Sequence, residues 1–310
     1  MEVKDVKRTV DALFNEMSKV IVGQQDMVQQ LLTGLMTNSH VLMEGYPGLA
    51  KTLAIKTLAQ VLDLSFSRIQ NTPDLMPSDI TGTTIIEESS SGRRSFKFRK
   101  GPVFANIVLA DEINRATPKT QAAMLEAMQE RQVTVGNETY ELDAPFFVLA
   151  TQNPIEQEGT YPLPEAQTDR FLLKVLVEYP TVEEELGIVD MYGGDTRIPT
   201  LRKVLRKTDL AALQRLTRQV PIKNDLQQYI VKIVNKSRNM KDLIEYGASP
   251  RASIGLTLAA KARALLQGRK YVSTEDIKEM AFPVLRHRII PTFEAEREGL
   301  SHDDLIKKLF

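Results

Sequence analysis

The segment Gly45–Thr52 has the residue types of a phosphate-binding loop. Its sequence, Gly-Tyr-Pro-Gly-Leu-Ala-Lys-Thr, follows a short apolar run and precedes residues with helical spacing. In such a strand–loop–helix, backbone N–H groups wrap around phosphates and the helix dipole favours their negative charge. Lys51 would reach the β- and γ-phosphates, and the Thr52 hydroxyl would ligate magnesium. An ordinary strand–turn–helix with a chance Lys-Thr pair is the alternative.

Ala50 stands where the usual pattern of such loops has a glycine before the lysine. The strict pattern therefore fails by one methyl group. We interpret the difference as tolerable, because alanine can adopt the helical conformation of a first turn.

A pair of carboxylates, Asp111 and Glu112, follows the apolar run Ile107–Ala110. Asp111 would bind magnesium directly or through water, and Glu112 would polarise the attacking water. A strand that ends in a solvated acidic turn would have the same sequence. Because the loop and the acidic pair occur together and in this order, the sequence predicts an ATP site with Mg2+ as its metal.

Short apolar runs, separated by helical patterns, must position these residues. Runs of this kind are typical of strands buried on both faces, and they predict a parallel sheet in a three-layer α/β domain. Ligands of such domains bind at the carboxyl ends of the strands, where Gly45, Asp111 and Asn153 would gather. The predicted strands are His40–Glu44, Asn106–Ala110, Phe146–Ala150 and Phe171–Val177, and the predicted helices of this part are Val10–Val20, Met27–Met36 and Thr52–Leu62.

Helical spacing replaces the strand signal from about Glu183 onward. The Gly, Asp and Pro residues of Gly193–Pro199 suit a linker, so we divide the chain into a core domain at 1–195 and a smaller, all-helical domain at 196–310. Ser273 and Thr274 are candidate helix caps. The helices predicted here are Leu201–Val220, Leu226–Asn239, Ala252–Leu266 and Glu275–Leu285.

Two insertions in the core read as β-hairpins. Gln132–Leu142 alternates apolar and polar residues around Gly136-Asn137 and predicts a hairpin at about 132–143. The other insertion occupies about 71–101. Its predicted strands are Thr83–Glu87 and Ser95–Arg99, with Ser89–Gly92 as the tip.

Composition sets limits on the class of protein. The 310 residues are 42% hydrophobic, and 40 basic residues balance 40 acidic ones. A formal net charge of zero argues against bulk nucleic acid or an anionic membrane as the main partner, so nucleic acid is an unlikely ligand. The chain has no cysteine and three histidines, which disfavours thiolate and histidine metal sites. We see no signal peptide or membrane span, and we expect a cytoplasmic protein.

Taken together, these motifs resemble the MoxR family of the AAA+ superfamily over nearly the whole chain. The resemblance implies a P-loop AAA+ core with a three-layer parallel sheet, followed by a helical lid domain. An alanine before the lysine is the form that this family has, so Ala50 does not count against nucleotide binding. The matching motifs are Ile21–Gln24, Gly45–Thr52, Leu75–Gly82, Ala110–Arg115, Ala150–Pro154, Glu165–Phe171 and Ser249–Arg251.

The resemblance also implies roles for three polar residues. Asn153 is similar to the sensor that positions water beside the catalytic glutamate, although an Asn-Pro turn would look the same. Arg170 resembles an arginine finger supplied to the ATP of a neighbouring subunit, and a surface ion pair with Asp169 is the alternative. Arg251 resembles a second sensor at the start of a lid helix; otherwise it is a solvated arginine whose charge opposes the helix dipole.

Contacts with the nucleotide base are implied for Val22 and Gly23, although Ile21 and Val22 could instead be plain core. The resemblance leaves Arg115 without a role. The expected nucleotide-contacting residues are Val22, Gly23, Gly45, Pro47, Gly48, Leu49, Ala50, Lys51, Thr52 and Leu53, with Thr52 and Asp111 as magnesium ligands and Glu112, Asn153, Arg170 and Arg251 in catalysis.

The family resemblance further implies a function: ATP hydrolysis that drives chaperone-like remodelling, maturation or activation of partner protein complexes. It implies a homo-oligomer, as a hexameric ring, and client proteins such as those with von Willebrand A-type domains. The two hairpins could contact a client or be plain surface features. The motor subunit of a metal chelatase and a nucleotide-gated scaffold without turnover remain alternatives. Nucleic-acid remodelling through Lys97, Arg99 and Lys100 is a further one.

Overall fold

The computed structural model describes residues 3–88, 94–154, 159–194 and 199–310. Helices occur in all four ranges. The helices are α1 (Val3–Met17), α2 (Gln25–Met36), α3 (Lys51–Val61), α4 (Pro77–Thr81), α5 (Pro118–Glu130), α6 (Glu165–Thr168), α7 (Val182–Tyr192), α8 (Lys207–Gln219), α9 (Asn224–Asn239), α10 (Pro250–Leu266), α11 (Thr274–Leu285), α12 (Phe293–Arg297) and α13 (His302–Lys307). The strands are β1 (Val41–Gly45), β2 (Phe66–Gln70), β3 (Gly82–Glu88), β4 (Arg94–Lys100), β5 (Ile107–Asp111), β6 (Gln132–Val135), β7 (Glu138–Glu141), β8 (Phe147–Gln152), β9 (Leu173–Val177), β10 (Ile244–Tyr246) and β11 (Ile290–Pro291).

Five strands form one sheet in the order β2-β5-β8-β1-β9, and every neighbouring pair is parallel. Val41 of β1 is in register with Leu149 of β8 on one side and with Leu173 of β9 on the other. The predicted parallel sheet is confirmed. The edge strand β2 is absent from the sequence prediction, because Ile69 is its one fully buried residue and the strand lacks a continuous apolar run.

Helices cover both faces of this sheet, because successive side chains of a strand point to opposite sides. Val41 and Met43 belong to a buried cluster with residues of α2 and α3. Leu42, between them, belongs to a second buried cluster that includes Met124 and Met128 of α5. Two helical layers around one parallel sheet make the three-layer α/β architecture that the apolar runs predict.

The described residues from 199 to 310, here called the lid, pack on the first helices of the core. Gln214 of α8 donates a hydrogen bond to the Leu35 carbonyl of α2 at 2.8 Å, and one buried cluster extends from α1 and α2 into α10 and α11. The lid is helical except for a short antiparallel ladder between β10 and β11. The boundary predicted between 195 and 196 lies outside the described residues.

Several predicted helix boundaries are wrong. The first helix is α1 at Val3–Met17 rather than Val10–Val20. The helix predicted to begin at Leu201 begins at Lys207, because the chain before it runs along α3, where the Val204 N–H donates to the Val61 carbonyl at 2.8 Å. Helix α5 was not predicted, since two of its buried positions are polar and blur its apolar stripe.

Both hairpin insertions are present. β3 pairs antiparallel with β4, and β6 pairs antiparallel with β7 through a turn in which Gly136 has φ 63°, a conformation that favours glycine. The predicted tip at Ser89–Gly92 lies outside the described residues. The two hairpins touch through Phe98 of β4 and Tyr140 of β7, whose rings stack with centroids 4.2 Å apart.

Crossing a bilayer requires a long apolar helix, and none of the helices in the described ranges has both the length and the apolar character for it.

Candidate active site

The carboxyl ends of β1, β5 and β8 bring the predicted site residues to one edge of the sheet. Gly45 and Asp111 are the last residues of β1 and β5, and Asn153 directly follows β8. These strands are adjacent and parallel, so their ends lie side by side. Asp111 and Asn153 are both buried.

The loop between β1 and α3 depends on glycine at its first position. A Cβ atom on Gly45 would lie 2.8 Å from Val177 Cβ and 2.9 Å from the Val177 carbonyl oxygen, because β1 and β9 run alongside each other. Gly48 has φ 85° and open space where a side chain would project. The loop therefore packs closely against β9 at Gly45, and at Gly48 it leaves space beside the backbone.

Ala50 has φ 54° and ψ 21°, in the left-handed region, and is the N-cap of α3. The sequence-based explanation that it adopts a first-turn helical conformation is therefore wrong; the helix begins one residue later, at Lys51. A left-handed conformation costs a non-glycine residue roughly 1–2 kcal/mol. Backbone strain of this kind clusters at ligand-binding segments, where the surrounding structure enforces it.

Lys51 lies over the loop with its ammonium group half-buried. Its Nζ donates to the Gly45 carbonyl oxygen at 2.5 Å. Burial lowers the pKa of Lys51, and the nearby charges of Asp111, Glu112 and Glu44 oppose that shift. Lys51 thus shares this edge of the sheet with three carboxylates. Thr52 and Leu53 follow in the first turn of α3, both half-buried.

Asp111 is held from two sides. Its Oδ1 accepts a hydrogen bond from Thr151 Oγ1 at 2.7 Å, and its Oδ2 accepts from Arg68 Nε at 3.0 Å and Nη2 at 2.6 Å. Arg68 belongs to β2, the strand that sequence reasoning missed, so this partner was missed with it.

Glu112 has φ 55° and ψ 51°, a left-handed conformation that is uncommon for a residue other than glycine. Its backbone N–H donates to Thr151 Oγ1 at 2.9 Å, so this hydroxyl joins both acidic residues. The Glu112 Oε2 atom accepts from Gln70 Nε2 at 2.9 Å and lies 3.3 Å from Arg115 Nε. Arg115, which had no predicted role, thus pairs with the predicted catalytic carboxylate.

A cleft of about 530 Å³ lies between the start of α2, the end of β9 and α7. Gly23, Gln24, Tyr179 and Glu184 are among its lining residues, together with Arg286 of the lid. Val22, predicted to contact the base, is not part of this lining; its side chain lies beside Gly187 of α7.

Two contacts connect this cleft to the loop. Gln24 Nε2 donates to the Leu49 carbonyl at 3.4 Å, and the rings of Tyr46 and Tyr179 stack with centroids 5.0 Å apart. Gln24 Oε1 is buried and accepts no hydrogen bond from any described residue. The cleft and the loop are therefore connected, and the cleft contains an unsatisfied hydrogen-bond acceptor, Gln24 Oε1.

The two predicted catalytic arginines contact neighbouring parts of the chain around α6. Arg170 is exposed, follows α6, and donates to the Leu125 carbonyl at 3.3 Å. Arg251 starts α10 and lies 3.6 Å from the carboxylate of Asp169, the residue before Arg170. Within the described part of the chain, neither arginine has a hydrogen bond or ion pair with Lys51 or a carboxylate of the loop site.

Comparison with known proteins matches residues 40–173 to the model of the ATPase family associated with various cellular activities (AAA) and residues 237–309 to the AAA lid domain. The chain is 45% identical to the chaperone MoxR1 of Mycobacterium tuberculosis over 309 residues, covering 97% of this chain and 81% of that protein. It is 29% identical to the protein MoxR of Methylorubrum extorquens, covering 95% and 92%.

The chain belongs to the MoxR family of AAA+ ATPases. A crystal structure of a candidate ATPase from Cytophaga hutchinsonii superposes with a TM-score of 0.92 at 45% identity, covering 99% of this chain and 94% of that one. The similarity includes both the AAA domain and the lid, so the predicted family and fold class are confirmed.

The residues of this MoxR-family chain fit a magnesium-bound nucleoside triphosphate. The open space at Gly48 and the cation of Lys51 suit phosphates. The orphaned Gln24 Oε1 suits the exocyclic amine of a base. The described residues contain no group of three or more histidine, cysteine, aspartate or glutamate side chains that could hold a metal ion.

Proposed function

We propose that this chain hydrolyses ATP with Mg2+ and, as a homo-oligomeric ring, uses the energy to remodel, mature or activate client protein complexes. The observation that carries the proposal is the convergence of Lys51, Asp111 and Glu112 at one edge of the parallel sheet. A lysine for the phosphates, a carboxylate for the metal and a second carboxylate to orient water are the parts that phosphoryl transfer to water uses.

In this proposal each residue acts as follows. Mg–ATP, when bound, supplies the phosphoryl group and a stabilised leaving group. Lys51 would bind the β- and γ-phosphate oxygens, and the Thr52 hydroxyl and the Asp111 carboxylate would hold the metal. Glu112 orients water and accepts its proton on a carboxylate oxygen. Asn153, buried at the end of β8, positions the same water.

The two exposed arginines support a ring. Arg170 and Arg251 have no hydrogen bond or ion pair to the loop within the described part of their own chain, so we propose that they act on the ATP of a neighbouring subunit. A guanidinium supplied in this way offsets the charge that develops during phosphoryl transfer. A head-to-tail interface closes into a ring when its rotation permits, which fits the hexamer that the family resemblance predicts.

The β3–β4 hairpin is the surface that we assign to the client. Ile86 and Phe96 lie directly opposite each other across this hairpin and are 64% and 80% exposed. Contiguous exposed apolar patches mark interaction sites, and these two facing side chains are the basis of the assignment. Client proteins with von Willebrand A-type domains are the partners that the family resemblance predicts.

The test of turnover is Glu112→Gln, with Glu130→Gln, an exposed carboxylate on α5, as the matched control. Glu112→Gln keeps the shape but removes the base, so we expect ATP binding at parental affinity and phosphate release reduced about 100-fold or more. Steady-state phosphate release and fluorescent-nucleotide binding measure the two quantities. Parental turnover in Glu112→Gln would show that the assignment of the base is wrong.

The same preparations separate the alternatives. A wild-type chain that binds ATP but releases no phosphate at any protein concentration would be a nucleotide-gated scaffold. A motor with arginines supplied by a neighbour should instead show activity per subunit that rises with protein concentration as rings form. Copurification with the Glu112→Gln ring identifies the client, and recovery of chelatase subunits would indicate the metal-chelatase alternative.

A further inference from the structure

Arg288 is a buried arginine of the lid that donates hydrogen bonds to the 169–172 loop, which carries Arg170. Its side chain is 4% exposed. Its Nε donates to Asp169 Oδ1 at 2.7 Å, and its Nη2 donates to the carbonyls of Asp169 at 3.1 Å and Phe171 at 2.5 Å. Its Nη1 donates to the Leu172 carbonyl at 2.9 Å and to the Val284 carbonyl of α11. Every nitrogen of this guanidinium therefore has a partner.

Other groups of the lid hold the same loop. Ser249 Oγ donates to Asp169 Oδ2 at 3.0 Å, and Arg251 lies 3.6 Å from that carboxylate. His287, the neighbour of Arg288, makes a hydrogen bond through Nε2 to the Phe171 carbonyl at 2.9 Å. Asp169 thus accepts hydrogen bonds from two parts of the lid: Ser249, which caps α10, and Arg288, which follows α11.

These contacts flank Arg170 on both sides. Asp169 precedes it, Phe171 and Leu172 follow it, and the guanidinium of Arg288 bridges all three. A planar group with donors in a fixed fork sets the positions of its acceptors more tightly than a flexible ammonium could. Arg170 itself is exposed; its side chain donates to the Leu125 carbonyl of α5 at 3.3 Å, and its backbone N–H donates to the Gln167 carbonyl at 3.2 Å. The N–H groups of residues 169–172 bond to the core, whereas the lid arginine Arg288 binds the carbonyls of Asp169, Phe171 and Leu172 on either side of Arg170.

We propose that Arg288 is a positioning residue: it holds the 169–172 loop so that Arg170 points at the neighbouring subunit's nucleotide. The inference rests on the proposed function, in which Arg170 acts on ATP. It adds a residue that contacts no nucleotide. Because an arginine finger acts through geometry, a shift of about 1 Å can cost about 100-fold in rate.

The test compares Arg288→Met with Arg269→Met. Arg269 also forms a buried ion pair in the lid, with Asp276, but has no contact with the 169–172 loop, so it controls for simple weakening of the lid. We expect Arg288→Met to lower kcat about 100-fold. The Kd for Mg–ATP should stay within about twofold, because the nucleotide-binding loop Gly45–Thr52 is untouched. Arg269→Met should lower stability with little change in kcat.

A double-mutant cycle with Arg170→Ala separates positioning from structural damage. If Arg288 acts through Arg170, adding Arg288→Met to Arg170→Ala should cause no further loss of kcat, since groups that act as one unit are non-additive. An equal loss in both backgrounds would overturn the proposal. Arg288→Lys keeps one cationic donor, so we expect an intermediate kcat if Arg288→Met folds poorly.

A spectroscopic readout keeps the proposal independent of turnover. The chain has no cysteine, so a nitroxide label on Ala166→Cys, an exposed position on α6, reports on this loop alone. Arg288→Met should increase label mobility, and Arg269→Met should not. An unchanged spectrum in Arg288→Met would refute the positioning role. Absence of phosphate release by the wild type would instead refute the proposed function and leave this measurement valid.

Discussion

Histidine 40 makes the stability of the core depend on pH in a way that can be calculated. It lies just before β1, and its Nδ1 accepts from the Val148 N–H of β8 at 3.0 Å while its Nε2 donates to the Met128 carbonyl of α5 at 3.0 Å. The ring thereby connects three elements that frame the nucleotide site. Burial, assisted by the charge of Arg131, lowers the pKa of His40 from 6.5 to about 3.

The direction in which pH changes the unfolding free energy follows from which state, folded or unfolded, binds the proton. The unfolded chain takes up a proton below about pH 6.5 and the folded chain only near pH 3, so the contribution of His40 is complete above pH 6.5 and is lost as pH falls towards 3. One pKa unit corresponds to about 1.4 kcal/mol. Linkage therefore predicts a loss of about 2 kcal/mol in unfolding free energy between about pH 7.5 and pH 5.

The comparison that isolates this residue is wild type against His40→Gln. Glutamine can donate to the Met128 carbonyl but does not titrate, so the variant should lose about 2 kcal/mol less over the same pH interval. Urea unfolding at several pH values, followed by circular dichroism, measures the difference. His287 and His302, whose pKa values burial also lowers, affect both proteins equally. Parallel pH profiles for the two proteins would show that His40 is not buried as a neutral ring.

Three further perturbations test other contacts. Ala50→Gly should raise the unfolding free energy by about 0.5–1 kcal/mol, because relief of left-handed strain exceeds the entropy that glycine adds to the unfolded chain; a lower urea midpoint would contradict this. Arg68→Ala should lower the Mg2+ concentration needed for tight nucleotide binding by about threefold to tenfold, because Asp111 loses a competing cation; an unchanged or higher Mg2+ requirement, in a fluorescent-nucleotide titration, would count against it. Tyr140→Ala should increase amide exchange in β4, since stacking on Phe98 is worth about 0.5–1.5 kcal/mol, and unaltered exchange would mean that the two hairpins are independent.

Local spacing was enough to predict the chemistry of the nucleotide site. A loop of glycines before Lys51, a hydroxyl after it, and two carboxylates at the end of an apolar run are contiguous in the chain, and strand order brings such strand ends together whatever the loops do. The parallel sheet and the two hairpins were predicted from local patterns of the same kind, and the family from the resemblance of the contiguous motifs. The chemical roles of the individual site residues remain predictions that the proposed experiments test.

Tertiary structure decided what spacing could not encode. Arg68 reaches Asp111 from an edge strand that has little apolar signal, and Arg288 reaches Asp169 across 119 positions of sequence. Ala50 adopts a left-handed conformation against the preference of an alanine. Sequence fixes which groups are available within a few residues of each other, whereas only packing determines which distant charges become partners and which backbone positions must carry strain.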